Sequence, residues 1–106
     1  MLIKRISCKV IEGQMDSFYD SQKQWKSLSR VNGFIGQVGG WSKRHPLTAS
    51  IYAFWESQGD YDFFMGEIHD QIFVQSRQGN TYSSIEVDMF QEEKRILDWR
   101  MIFWEF

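Results

Sequence analysis

Between Leu2 and Val10, branched apolar residues are broken only by short polar steps at Lys4, Arg5, Ser7 and Lys9, a pattern that predicts a first β-strand closed by Glu12-Gly13. The period then changes. Met15, Phe18, Tyr19, Gln22, Trp25 and Ser29 recur at steps of three and four, which predicts a helix with those residues on one face, stopped at Asn32-Gly33. Residues 34–41 read as a glycine-rich second strand, and residues 42–48, which hold the only proline, Pro46, as the loop that follows. Residues 51–55 (Ile-Tyr-Ala-Phe-Trp) show no polar alternation, so a third strand covered on both faces is predicted. Ser57 with Asp60 three positions on has capping-box spacing. It opens a second helix whose stripe is Tyr61, Phe64, Met65, Ile68 and Ile72, and Gln78-Gly79-Asn80 ends that helix. Residues 81–90 alternate Ile85, Val87 and Met89 against Ser84, Glu86 and Asp88, as a half-exposed last strand does.

The order strand, helix, strand, strand, helix, strand predicts an α+β, ferredoxin-like βαββαβ fold in a single domain, 1–106. Residues 1–90 form its core. Helices cover one face of such a sheet only, so the apolar third strand calls for a cover on the other, and the simplest one is a second copy of the chain. Residues 91–106 form an apolar C-terminal extension carrying Ile96, Leu97, Trp99, Met101, Ile102, Phe103, Trp104 and Phe106. Helix and strand are both open for it. Left exposed it would be an aggregation hazard, so it is expected to pack on its own subunit or on its partner.

Composition narrows the class further. With 42% apolar and 17% aromatic residues in 106, the chain can bury a substantial core. Twelve basic against 14 acidic residues leave no nucleic-acid footprint. Lys4-Arg5 and Lys43-Arg44 read as solvated residues at strand ends. A lone cysteine, Cys8, rules out a disulfide framework and a cysteine-built zinc site, and its place between Ile6 and Val10 predicts an inert buried thiol. No apolar run approaches a membrane span, and no secretory leader follows Met1, so a cytoplasmic location is expected.

The element order, the Gly33-Phe34-Ile35-Gly36 strand entrance, and a third strand ending in Phe54-Trp55-Glu56-Ser57 ahead of an aromatic-bearing helix together resemble the antibiotic biosynthesis monooxygenase family, over about residues 2–90. That family lies in the dimeric α+β barrel superfamily. The resemblance implies a homodimer with a pocket in each subunit between sheet and helices, no cofactor, and a small aromatic ligand. Its members also include haem-degrading enzymes, with an asparagine in the first strand and a tryptophan and a histidine in the second helix. Ile6, Phe64 and Val74 stand at those three positions here, so conventional haem degradation is not expected.

Two polar residues and three aromatic ones remain as candidate chemistry. Gln22 falls within the apolar face of the first helix, where a buried amide needs partners. His69 sits at the shoulder of the second helix's stripe, where an imidazole can act as acid, base or ligand, or help end the helix. Asp70 follows it, but adjacent helix residues point about 100° apart, so the pair is not read as a dyad. In a cofactor-free oxygenase, His69 and Gln22 would be the catalytic pair, and Trp25, Trp55 and Phe64 the ligand-binding wall that holds a planar substrate while its enolate is stabilised. A non-catalytic dimer with a structural or stress-response role is the competing reading, and a haem-binding protein a lesser one.

Overall fold

Antiparallel pairing assembles the strands β1 (Leu2–Val10), β2 (Phe34–Trp41), β3 (Thr48–Trp55) and β4 (Tyr82–Gln91) into one sheet in the order β2-β3-β1-β4. This is the ferredoxin-like arrangement. The computed structural model describes residues 1–93; the C-terminal extension expected to dock on the protein or its partner falls, from residue 94 on, outside the described residues. The helices α1 (Met15–Gln22), α2 (Gln58–Glu67) and α3 (His69–Ser76) lie against one face. Leu2, Cys8 and Val10 of β1 and Ala49, Ile51, Ala53 and Trp55 of β3 are buried beneath them.

The first predicted helix keeps its α-form only to Gln22, then tightens to a 3₁₀ helix over Lys23–Arg30. At three residues per turn, positions three apart eclipse one another, so Trp25 and Leu28 are both buried, while Tyr19, expected on the buried face, is exposed. The second predicted helix is two. It breaks at Ile68 (φ −124°, ψ −40°), and α3 begins at His69. Ser57 caps α2 as predicted, its Oγ accepting from the Asp60 amide at 3.1 Å. Arg77, rather than the glycine of Gln78-Gly79-Asn80, takes the left-handed conformation (φ 56°) that ends α3.

The Gly33-Phe34-Ile35-Gly36 signature is a left-handed glycine followed by a β-bulge. Gly33 has φ 81°, and the register of β2 on β3 shifts between Phe34 and Gly36. A Cβ at Gly33 would run into the Asp60 side chain of the capping box. Gly33→Ala is therefore expected to cost about 2 kcal/mol or more, backbone strain and cap disruption combined, read as a lower urea midpoint at unchanged slope.

The opposite face of the sheet is open. Tyr52 is exposed there, and Ile3, Phe54 and Phe90 are only partly covered or exposed, so within one chain residues 51–55 are covered on the helix face. Arg5 pairs with Asp88 across this face at 3.9 Å. On the helix side the helices stop short of β4, leaving Ile85, Val87 and Met89, which share a face with the buried residues of β1, exposed at that edge. Lys4 overturns a second expectation. It alternates onto the helix side of β1, between Leu2 and Ile6, and is 7% exposed instead of solvated, because strand periodicity turns its side chain under α2.

Candidate functional site

Between the sheet and the helices lies a cavity of about 360 Å³, at the lower end of the range for small-ligand pockets. The strands and the tight 3₁₀ segment position its walls. β3 supplies Trp55, the 3₁₀ segment Trp25, α2 Phe64 and α3 His69, while Lys4 and Cys8 of β1 line the sheet side. The β4 edge contributes Ile85 and Val87, the uncovered side of the cavity.

The five residues singled out from the sequence all line this space. Their roles differ. Trp55 is 1% exposed and is chiefly core: it packs against Phe34, Tyr61 and Phe64 at ring-centroid distances of 5.2, 5.8 and 5.0 Å. Trp25 and Phe64 meet edge-on at 6.5 Å, and both touch His69. The imidazole stacks on Phe73 (5.8 Å, 11° between planes) and lies 5.4 Å from Trp25. Val74 is 73% exposed and does not line the cavity.

His69 and Asp70 do pair, against the sequence expectation. Nδ1 lies 3.1 Å from Asp70 Oδ1. They are the first two residues of α3, immediately after the break at Ile68. A carboxylate only accepts, so Nδ1 carries the proton, and in the neutral ring Nε2 keeps its lone pair. The same break removes the helix-ending role expected for His69, since it starts a helix rather than closing one.

Gln22 is held by Gln78, a residue that the sequence marks only as part of a helix stop. Gln78 Nε2 donates to Gln22 Oε1 at 2.6 Å, and Gln78 Oε1 accepts from the Trp25 indole at 2.9 Å. Its backbone is tied in by Ser76 Oγ and Thr81 Oγ1. Gln78 thus orients both the amide and the indole that border the cavity. Gln78→Ala leaves the buried Trp25 indole and the half-buried Gln22 amide without their partner and is expected to destabilise by about 1–3 kcal/mol in urea unfolding, more than Gln22→Ala, which breaks only one of these bonds.

Lys4 is the residue that sequence reasoning missed. Its Nζ lies 3.9 Å from Met65 Sδ and 4.9 Å from the Tyr61 ring centroid, and among the described residues no carboxylate pairs with it. Burial pulls its pKa below the usual lysine value. Cys8 is the buried thiol expected: desolvation pushes its pKa up to about 11, so it stays protonated and unreactive near neutrality. No group of three or more potential metal-ligating His, Cys, Asp or Glu side chains occurs among the described residues, and none of their helices is long and apolar enough to cross a membrane.

Comparison with known proteins agrees with this geometry. The sequence profile of the family described as a domain of unknown function (DUF4937) matches residues 2–90. The chain is 43% identical over 96 residues to the uncharacterized protein YdbC of Bacillus subtilis, covering 89% of this chain and 81% of that one. Among solved structures, a mutant of SnoaB, a cofactor-independent oxygenase from Streptomyces nogalater, superposes with a TM-score of 0.75 at 8% identity, covering 92% and 97% of the two chains. A conserved protein from Methanosarcina mazei Go1 does so with a TM-score of 0.73 at 13% identity, covering 88% and 94%. Another solved neighbour, an antibiotic biosynthesis monooxygenase, gives 0.71 at 10%, with 88% and 99% covered. The chain belongs to the DUF4937 family and has the fold of the antibiotic biosynthesis monooxygenase-like proteins.

Proposed function

We propose that this protein binds a small aromatic molecule in the cavity and acts as a cofactor-independent monooxygenase, working as a homodimer. The observation that carries the reading is the cavity itself: aromatic walls from Trp25, Phe64 and Phe73 enclose a space bordered by a few polar groups, His69, Gln22 and Lys4. Such a site suits a planar substrate with an acidic C–H beside a carbonyl or phenol. His69 Nε2 would take that proton, with Asp70 holding the other side of the ring. The resulting enolate donates electrons to O₂. The carbon-bound hydroperoxide that forms then loses water, so that CH₂ and O₂ become C=O and H₂O with no external reductant. The open sheet face, with Tyr52, Phe54 and Phe90, supports a second copy as its cover.

Two measurements test this. Native mass spectrometry is expected to give the mass of two chains, and a monomer at micromolar concentration would remove the dimer. Oxygen uptake with a hydroxyanthrone as substrate is expected to fall by about 100-fold or more in His69→Phe, which keeps a ring for stacking and lacks the nitrogens. Equal turnover in the variant, at equal melting temperature, would remove His69 as the base, and no oxygen uptake by the wild type would leave a binding protein without this catalysis.

A further inference from the structure

The cavity is electrically one-sided. Of the described residues that line it, one carries an amino group, Lys4, and none is Asp or Glu. Ordinary buried lysines pair with a carboxylate, because an ammonium taken from water loses several kcal/mol of hydration. Among the described residues the Lys4 ammonium instead meets a thioether and the face of Tyr61, both weak substitutes for an anion. Nor does it reach out to water along its methylene stem, being only 7% exposed. The amides nearest the Trp25 wall, Gln22 and Gln78, are bonded to each other and carry no charge.

Resting on the binding function proposed above, we infer that Lys4 is an anion anchor, and that the cavity selects planar aromatic molecules carrying one negative oxygen function, a carboxylate or an enolate, placed against its ammonium. The anion replaces the missing counter-charge, while the ring system lies among Trp25, Phe64 and His69. An acidic head and an apolar, planar body are therefore both required, and doubly charged or strongly cationic ligands are rejected. In a reaction that passes through an enolate, the same ammonium stabilises the charge that develops on oxygen.

Isothermal titration with 2-naphthoate and with 2-naphthalenemethanol, which share a ring and differ in charge, tests this. The wild-type protein is expected to bind the naphthoate about tenfold or more tightly than the alcohol, the size of a charge-assisted contact. Lys4→Met is expected to abolish that preference, so that the variant binds the naphthoate no more tightly than it binds the alcohol, and Lys4→Arg to retain part of it. Equal binding of both probes by the wild type, or a preference that survives in Lys4→Met, overturns the anchor and leaves the binding reading standing. No binding of either probe at millimolar concentration overturns both.

Discussion

Replacing Trp55 with alanine is expected to lower the free energy of unfolding by about 3–5 kcal/mol, the largest single-residue effect in the described part of the chain. Trp55 is the end residue of β3, pairs with Leu2 and Phe34 across two neighbouring strands, and is 1% exposed. Its indole is the common neighbour of Phe34, Tyr61 and Phe64, so truncation opens a void touching the sheet, the strand entrance and α2 together. Those elements cannot collapse into it without moving the backbone. With domains of this kind stable by only about 5–15 kcal/mol, the variant sits close to unfolding at room temperature. Urea denaturation is the check: a midpoint lower by about 2 M is expected. Trp55→Phe keeps most of the contact and should fold, with a cost nearer 1–2 kcal/mol. An alanine variant as stable as wild type would mean that the core is centred elsewhere.

Lys4→Met is expected to act in the opposite direction and raise stability by about 1–3 kcal/mol at pH 7, because a desolvated, unpaired charge gives way to an apolar side chain of similar length. The pH dependence carries the diagnostic sign. The folded-state pKa of Lys4 lies below its unfolded value of 10.5, through desolvation. Below the folded pKa the lysine is charged in both states and its burial penalty is complete. Between the folded pKa and 10.5 the unfolded chain binds more protons, so wild-type stability rises with pH. The advantage of the methionine variant therefore narrows across that window. Measuring the difference between the two proteins cancels the contributions of Cys8 and Tyr82, whose raised pKa values act in the same alkaline range with the opposite sign. A constant difference up to pH 10.5 would show that Lys4 is solvated in the folded protein.

Parts of the molecule are legible in the order of its residues. The bounds of β1 and β2, the Ser57 cap and the stripe from Tyr61 to Ile72 follow from periodicity and short-range capping, which depend on neighbours a few residues away. The cavity wall of Trp25, Phe64 and His69 is legible as residue types on helical faces. Their mutual contact is not, because Trp25 and His69 meet only when the 3₁₀ segment and α3 pack together. The break at Ile68 has no proline or glycine at its own position to announce it, and it places His69 and Asp70 at the start of α3.

Gln78 shows the limit most plainly. In the sequence it is one of three residues that stop a helix. In the fold it joins Gln22 and Trp25, which precede it by 56 and 53 positions. Lys4 shows it again: a charged residue near a strand end reads as solvated, and only the layer packed above β1 makes it buried. The amino-acid pattern by itself determined the order of elements, the ferredoxin-like class and the apolar character of the site, since these rest on local periodicity and composition. Tertiary structure alone decided which polar groups meet in the cavity and that, among the described residues, Lys4 stands there without a counter-charge, because burial and partnership belong to surfaces brought together from distant parts of the chain.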